Sequence, residues 1–390
     1  MLSGKDDGIK NPSERKKKMD SAPKVKSILF KKRILVAPLN WGLGHATRCM
    51  PIIQELITQG CTVVVAADGR PYDLLKKEFH SLEFHRLPGF APTYHEKGAG
   101  TFHLLRQLPA LLKATITEHS AVERLIREAT IDAIISDSRF GLFSSHVPTI
   151  YLVHQIRILM PKWLRMFERL VYYIHRHIIM RYTECWIPDY GGERNLSGNL
   201  SHSFVLPQNS KFIGPLSRFS ASAGKKNQHD VLVILSGPEP QRTVLEKKLV
   251  EQLSRTNLVT LIVQGIPEAN QHTLISPTLT MVSMLTAAEL NSEILSSKII
   301  LSRPGYSTIM DLAALSKKAI FVPTPGQTEQ EYLAKHFHEK KVCFSMSQAE
   351  FDLHYALEAA KAFSGFVSNN STESQLARVI ADFLSQLQAA

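Results

Sequence analysis

The sequence predicts an α/β protein of two Rossmann-like, doubly wound domains, and three observations support this. Short apolar runs alternate with amphipathic stretches along both halves of the chain, a pattern typical of buried parallel strands that alternate with helices. The chain has 390 residues, more than the roughly 250–300 at which single hydrophobic cores stop growing. A linker-like stretch, GPLSRFSASAGKKNQHD (214–230), divides the alternation into two units. One large Rossmann-type sheet is the competing interpretation.

Each element is predicted from its local pattern. Apolar runs bounded by Gly, Pro or polar residues indicate buried strands, and stretches with one apolar face indicate helices. The predicted strands cover 34–38, 61–67, 133–137, 149–154, 185–188, 231–235, 258–263, 298–301 and 319–322. The predicted helices cover 49–59, 102–128, 160–181 and 373–387, and two more begin near residues 243 and 307.

These elements predict five segments along the chain. They are a basic disordered tail (1–32), a first Rossmann-like domain (33–215), a linker (216–229), a second Rossmann-like domain (230–368) and a C-terminal helix (369–390) that packs back on the first domain. The two domains are expected to face each other across a cleft. Open α/β sheets bind ligands at the carboxyl ends of their strands, so the cleft is the expected site.

Composition and charge exclude several classes of function. The chain is 44% hydrophobic and 21% charged, as in globular proteins. Its four cysteines (Cys49, Cys61, Cys185 and Cys343) form no CxxC pair, which favours reduced thiols in a cytoplasmic protein. The net charge of +11 is concentrated in residues 1–33 and 155–182, so no general basic surface for nucleic acid is expected. No run of 18 apolar residues is present, so no membrane-spanning helix is expected.

The loop after the first strand, PLNWGLGHATRCMP (38–51), is the candidate acceptor-side loop. Gly42 and Gly44 let the backbone turn tightly and approach a ligand, and the following helix begins where negative charge is favoured. His45 at the end of this loop, with Arg48 one turn further on, is expected to face the cleft. An imidazole with a pKa near 6.5 suits a general base. The alternative is a histidine that only hydrogen-bonds the backbone at a helix start.

The segment ILSRPGYSTIMDLAALSKKAIFVPTPGQTEQEYLAKHF (300–337) carries the most specific pattern. It resembles the donor-binding region of GT-B glycosyltransferases of family 28, which includes the peptidoglycan N-acetylglucosaminyltransferase. The resemblance implies that Arg303, Gly305 and Asp311 belong to a donor-binding loop and helix. It also implies a second loop with Gln327, Glu329, Gln330 and Glu331. GLGH (42–45) and IDAIISD…VPTIYLVHQ extend the resemblance into the first domain, so that it covers about residues 33–365.

The physical properties of this segment agree with the resemblance. Backbone N–H groups at a helix start, with the hydroxyls of Ser307 and Thr308, can hold a diphosphate without a metal ion. Asp311 is placed to accept hydrogen bonds from a ribose, although the family usually has Glu there. Gln330 and Glu331 would meet sugar hydroxyls. The alternative is a packed helix start followed by a Pro-rich surface loop.

A second phosphate-facing loop is predicted after the first strand of the second domain. Pro238 and Pro240 remove two backbone donors, so Ser236, Gly237 and Arg242 would contact the phosphates. By the resemblance, the backbone at Leu285 would face the nucleobase.

The predicted function is transfer of a sugar from a nucleotide diphosphate sugar, UDP-linked, to an acceptor hydroxyl with inversion. No DxD motif occurs in residues 33–390, so we expect a metal-independent reaction with no cofactor besides the nucleotide-sugar substrate. The acceptor, whether a small molecule, a glycan or a lipid-linked molecule, is left open. One alternative is a nucleotide-sugar hydrolase, since some hydrolases of this fold share the GxGHxxRC pattern of residues 42–49. A non-catalytic nucleotide-sugar-binding protein is the other.

The helix predicted at 160–181 combines an apolar stripe with basic residues. Its apolar residues recur at helical spacing, and its arginines lie mostly off that stripe; the stripe comprises Trp163, Met166, Phe167, Leu170, Val171, Ile174 and Ile178. Such a helix can lie on an anionic membrane surface, which would make the protein cytoplasmic and peripheral at the inner face of the membrane. The alternative is that the stripe packs on the domain core.

Overall fold

A computed structural model describes residues 31–90, 107–221, 228–266, 271–367 and 374–389. Several sequence predictions lie at least partly outside these ranges. They are the basic tail except for its last two residues, the start of the helix predicted from residue 102, residues 222–227 of the linker and the first residues of the C-terminal segment.

The first domain is built on seven parallel strands in the order β3-β2-β1-β4-β5-β6-β7. On the central strand, Ile34 and Val36 belong to one buried cluster and Leu35 and Ala37 to another. Both faces of the sheet are therefore covered, which explains the unbroken apolar run. The strands are Arg33–Pro38 (β1), Thr62–Ala67 (β2), Glu83–Arg86 (β3), Ala133–Asp137 (β4), Thr149–Leu152 (β5), Glu184–Ile187 (β6) and Ser210–Phe212 (β7).

The second domain repeats this plan in the order β10-β11-β9-β8-β12-β13-β14. All neighbours are parallel except β10 and β11, which form an antiparallel edge pair. The strands are His229–Ile234 (β8), Thr260–Val263 (β9), His272–Ser276 (β10), Leu279–Val282 (β11), Ser297–Ser302 (β12), Ala319–Phe321 (β13) and Phe344–Ser345 (β14). Two sheets confirm the predicted α/β architecture, and the single-sheet interpretation is wrong.

The helices connect these strands and cover the sheets. In the first domain they are Leu43–Thr58 (α1), Gly69–Glu78 (α2), Leu108–Glu128 (α3), Glu168–Ile179 (α4) and Asn199–His202 (α5). The others are Gln241–Leu253 (α6), Ala287–Leu295 (α7), Tyr306–Ala314 (α8), Thr328–Glu339 (α9), Leu353–Ala360 (α10) and Gln375–Ala389 (α11). None of the described helices has the length and apolar character needed to cross a membrane.

Two helices differ from their predicted bounds. α1 begins at Leu43 rather than Cys49, because Gly42 with φ of 113° turns the chain directly into the helix. His45 therefore lies in the first helical turn, and Pro51 lies inside the helix. The predicted helix 160–181 is divided into a 3₁₀ segment, Lys162–Phe167, and α4.

The C-terminal helix α11 packs on the first domain although it follows the second in sequence. Phe383 meets Trp186 of β6 edge-to-face, with ring centroids 5.8 Å apart. Gln59 donates a hydrogen bond to the backbone oxygen of Ala377 (2.9 Å), and Gln375 donates to that of Phe212 (2.8 Å). The chain thus returns to the domain in which it began.

Candidate active site

The two loops singled out in the sequence meet in the structure. The hydroxyl of Ser307, in the first turn of α8, donates a hydrogen bond to the backbone oxygen of Gly44 at 2.9 Å. A Cβ atom at position 44 would lie 3.2 Å from Ser307 Oγ, a tight distance that favours glycine there. The acceptor-side loop and the donor-side helix start therefore touch at the carboxyl ends of the two sheets.

His45 is held by a carboxylate that sequence reasoning did not select. Its Nδ1 lies 3.0 Å from Oδ2 of Asp137, the last residue of β4. Because β4 pairs with β1 in parallel, with Pro38 opposite Asp137, the carboxyl end of β4 lies beside the start of α1. The same Nδ1 lies 2.9 Å from Nη2 of Arg48, so it faces both an acceptor and a donor. In the tautomer in which Nδ1–H donates to Asp137, the Nε2 lone pair is free to accept a proton.

Arg48 compensates the charge of Asp137 instead of facing the cleft. Its Nε lies 2.9 Å from both carboxylate oxygens, and its Nη2 contacts Oδ1 as well. Arg48 is 3% exposed and Asp137 is fully buried. Arg48 was predicted to belong to the acceptor-side loop, but it lies in α1. The helix turns its side chain inward, where a buried carboxylate needs a cation.

The charges of this cluster set the protonation states. Burial favours the neutral acid of Asp137, but Arg48 and His45 outweigh it and hold the pKa of this carboxyl well below its usual range. Burial and the neighbouring Arg48 lower the pKa of His45 from 6.5, despite the opposing effect of Asp137. His45 is therefore a neutral imidazole at neutral pH, the form that a general base requires.

Two further residues extend the cluster into the second domain. Arg48 Nη1 lies 2.8 Å from Nδ1 of His154, and Nε2 of His154 lies 3.0 Å from Oε1 of Glu329 in the first turn of α9. The ring of Tyr306 stacks on His154 at a centroid distance of 4.4 Å. The position of His154 at the end of a predicted strand was the available signal, whereas nothing in the sequence linked it to Glu329.

On the donor side, Ser236 and Gly237 are exposed directly after β8, and Gly237 has φ of 101°. A Cβ atom on Gly237 would lie 3.4 Å from Oγ1 of Thr324. Thr324 is 2% exposed, and its hydroxyl has no hydrogen-bond partner among the described residues. Buried hydroxyls are normally hydrogen-bonded, so this one is available to a ligand. Sequence reasoning missed Thr324, although it lies in the quoted segment.

Other predicted donor residues surround these loops. Gly305 is the N-cap residue of α8 and Thr308 lies in its first turn. Gln327 is the N-cap residue of α9. Leu285 follows β11 and packs against the main buried cluster while remaining half-buried.

Arg242, predicted to contact phosphate, and Arg303, assigned to the donor-binding loop, both make their hydrogen bonds within the second domain. Arg303 is 1% exposed and donates to the backbone oxygens of Val322 (2.9 Å), Pro323 (3.0 Å) and Gln241 (3.0 Å). It therefore ties three loops together. The guanidinium of Arg242 is neutralised by Glu239 and Glu246 of its own helix region, at 2.6 and 2.7 Å. Both guanidinium groups therefore have partners within the protein, in positions that do not favour direct contact with a phosphate.

Asp311 is also placed differently from its prediction. It lies one and a half turns into α8, on the side that faces the linker, and accepts a hydrogen bond from Ser217 at 2.7 Å. Burial raises its pKa to about 6, although Arg218 opposes the change. The carboxyl group is 8% exposed, so a ribose would have to displace the linker to reach it.

Gln330 and Glu331 support the loop that precedes them. Gln330 Oε1 accepts from the backbone N–H of Thr324, and Glu331 Oε1 accepts from that of Gly326, each at 2.8 Å. These side-chain oxygens shape the loop rather than meet a sugar. The loop they support carries the Thr324 hydroxyl.

Comparisons with known proteins place this site in a class of enzymes. Residues 234–384 match the model described as the glycosyltransferase family 28 C-terminal domain. An uncharacterized glycosyltransferase of Methanosarcina mazei is 24% identical over 332 residues, covering 79% of this chain and 84% of the relative. A second one, from Methanosarcina acetivorans, is 24% identical and covers 77% of this chain and 81% of the relative.

Solved structures show the same fold. The glycotransferase of kitacinnamycin superposes with a TM-score of 0.60 at 13% identity, covering 92% of this chain and 96% of that one. The glycosyltransferase SnogD from Streptomyces nogalater gives a TM-score of 0.60 at 12% identity, covering 92% and 100%. With the family match and the relatives, these results show that the chain is a glycosyltransferase of GT-B fold that resembles family 28.

Replacement of Asp137 tests the buried cluster. Asp137→Asn leaves the guanidinium of Arg48 buried without its counter-ion, and we expect a loss of about 3–5 kcal/mol in the free energy of unfolding at pH 7. Because the folded-state pKa of Asp137 is depressed, the difference from wild type should shrink as the pH falls below about 3.9. Urea unfolding between pH 3 and 8 measures it.

Asp73→Asn, at an exposed position on α2, is the matched control and should change stability little. A difference between wild type and Asp137→Asn that does not depend on pH would contradict this account.

Proposed function

We propose that the chain transfers a sugar from a nucleotide diphosphate sugar, UDP-linked, to an acceptor hydroxyl by a metal-independent, inverting reaction. The observation that carries this proposal is the position of His45. Asp137 holds its Nδ1 at 3.0 Å, and its neighbour Gly44 contacts Ser307 of the donor-side helix start. A base is thus fixed where the acceptor side and the donor side meet.

The reaction is a single displacement. Nε2 of His45 takes the proton of the acceptor hydroxyl while that oxygen forms a bond to the anomeric carbon. The bond from the anomeric carbon to the diphosphate oxygen breaks on the opposite face, and the diphosphate leaves with the electron pair. One displacement inverts the configuration, and Asp137 stabilises the imidazolium that forms.

The leaving diphosphate needs hydrogen-bond donors on the second domain. The first N–H groups of α8 point away from the helix body and favour an anion. Gly237 and the free hydroxyl of Thr324 lie at the neighbouring loop. The hydroxyl of Ser307 donates to Gly44, so Ser307 would contribute its backbone N–H. We propose that these donors, with Ser236, replace a metal ion, and that the backbone at Leu285 faces the nucleobase.

We further propose that the first domain contacts an anionic membrane surface. Ile178 of the apolar stripe packs against a buried cluster, but most of the stripe is exposed. Trp163 is 61% exposed, Met166 80% and Leu170 56%. Arg165 and Arg169 are exposed between them. Apolar side chains flanked by arginines suit the boundary of an anionic bilayer.

Membrane association makes a lipid-linked molecule the acceptor class that we favour. The protein would then be cytoplasmic and peripheral at the inner face of the membrane. The exposed apolar residues continue on α3, where Leu112 is 64% and Ile116 69% exposed. Phe143 stacks on His119 of α3 at 4.3 Å and lies beneath Arg181, which follows α4. Phe143 thus links α3 to the residues that follow α4.

Removal of the imidazole tests the base. We expect His45→Ala to lower turnover by about 10²–10⁴-fold while nucleotide-sugar binding, measured by thermal shift, is retained. Turnover is followed as UDP release from UDP-glucose and UDP-N-acetylglucosamine, with and without a panel of soluble and lipid-linked acceptors. Acceptor-dependent release supports transfer, whereas stoichiometric free sugar without acceptor supports hydrolysis. His272→Ala, exposed on β10, is the control; full turnover by His45→Ala would refute the scheme.

Removal of one hydroxyl tests the donor site. Thr324→Val keeps the shape of the side chain but removes its donor, and a hydrogen bond to a charged phosphate contributes about 1.5–3 kcal/mol. We expect the affinity for UDP, measured by calorimetry, to fall about 10–100-fold. Thr280→Val on β11, away from the strand ends, should bind UDP as wild type does. Equal affinities for all three proteins would remove Thr324 from the site.

Removal of the exposed apolar residues tests the membrane contact. The triple variant Trp163→Ser, Met166→Ser, Leu170→Ser should float with vesicles containing phosphatidylglycerol at least about tenfold less than wild type, since each buried side chain contributes about 1.5–3 kcal/mol. Leu274→Ser, 67% exposed on the second domain, should float normally. Wild-type protein that fails to float at any salt concentration would end the membrane proposal.

A further inference from the structure

His154 of the first domain contacts Glu329 of the second, and hydrogen-bond chemistry determines which atom donates and which accepts. Arg48 only donates hydrogen bonds, so Nδ1 of His154, 2.8 Å from Arg48 Nη1, must accept one. The proton of a neutral His154 then resides on Nε2, where it is donated to Oε1 of Glu329 at 3.0 Å. Glu329 thus favours the His154 tautomer whose Nδ1 can accept a hydrogen bond from Arg48.

The first turn of α9 is fixed against the first domain on both sides of Glu329. Thr328 Oγ1 donates to the backbone oxygen of Leu159 at 3.1 Å, and the hydroxyl of Tyr332 accepts from the N–H of Asn199 at 2.6 Å. Gln155 donates to the second carboxylate oxygen of Glu329. The carboxylate therefore has a defined place beside the cluster.

The groups around His45 come from four elements, and their charges can be assigned. Arg48 is a cation and Asp137 an anion. Burial favours the neutral acid of Glu329, but His154 and Arg48 outweigh it and lower its pKa, so it is a second anion. Burial raises the pKa of the Cys49 thiol well above its ordinary value, which leaves that group neutral. The hydrogen bonds of His154 place a proton on Nε2 and none on Nδ1.

The cluster therefore carries one more negative than positive charge while His45 is neutral. A proton that arrives on His45 brings the cluster to neutrality. Without Glu329 the same proton would create a net positive charge beside Arg48. A carboxylate of the donor domain thus favours proton uptake by a base of the acceptor domain.

We propose that Glu329 is a positioning residue for the catalytic base: it orients His154 and, through it, Arg48, and it supplies the negative charge that stabilises the protonated His45. This inference rests on the proposed function, in which His45 accepts the proton of the acceptor. Because Glu329 belongs to the second domain, it can stabilise the protonated form of His45 only when the domains are in contact, as they are in this structure.

The test separates the effect of the Glu329 charge from the effect of the hydrogen bonds that hold the start of α9 against the first domain. Glu329→Gln removes the charge and keeps the shape, Glu329→Asp keeps the charge, and Thr328→Val removes a cross-domain hydrogen bond without changing charge. Glu339→Gln makes the same change of residue at the exposed end of the same helix. NMR titration of histidine-labelled protein, with His45 assigned from His45→Ala, reports the protonation of His45 directly.

We expect the midpoint of the His45 titration to fall by on the order of half a pH unit in Glu329→Gln, because a stabilising anion has been removed. The midpoint should stay near the wild-type value in Thr328→Val and Glu339→Gln and be largely restored in Glu329→Asp. The acidic limb of kcat/KM should move to lower pH by the same amount in Glu329→Gln.

An unchanged His45 midpoint in Glu329→Gln, or equal shifts in Glu329→Gln and Thr328→Val, would overturn the inference. The NMR result is independent of turnover. Wild-type protein without transferase activity but with the expected shift would therefore count against the proposed function and leave the coupling intact, whereas active protein without the shift would count against the coupling alone.

Discussion

The buried ion pair between Asp137 and Arg48 is the interaction on which the rest of the site depends. An unpaired carboxylate in this position would be costly, and its counter-ion comes from the helix that follows β1. That helix begins so early that the same carboxylate also reaches His45. One buried charge thereby fixes the start of α1, the orientation of the imidazole and the place where His154 joins the cluster.

The sheets were predictable because their central strands are covered on both faces. Strands such as β1 and β2 must be apolar along most of their length, and that requirement is visible in sequence. The edge strands β3, β7, β10 and β14 were not predicted, nor was β11. Their residues are mostly exposed or half-buried, so no apolar run distinguishes EFHR or HTLIS from a loop. The early start of α1 was missed because Gly42 was interpreted only as a loop residue.

Site residues were predictable where they belong to a backbone feature that has its own sequence signature. Gly44 and Ser307 were found because a glycine-containing loop and a helix start have local signatures. Asp137 was missed, and Glu329 was assigned only to a donor-side loop, because their partners lie 89 and 175 residues away in sequence. Residue type also misled: Arg303 and Arg242 have the right chemistry for phosphate, but loop carbonyls and nearby carboxylates use their donors. A sequence shows which groups are present and not which neighbours they satisfy.

The return of α11 to the first domain has a mechanical consequence. The chain passes between the domains twice, once near Gly214 and again near Gln375. These two passages lie side by side, since a Cβ atom on Gly214 would be 3.3 Å from Gln375 Oε1 and Gln375 also donates to Phe212. Two adjacent connections between domains favour a hinge rotation and oppose a sliding (shear) motion. We therefore expect any opening of the domains to rotate Glu329 away from His154, and closure to restore the same contact.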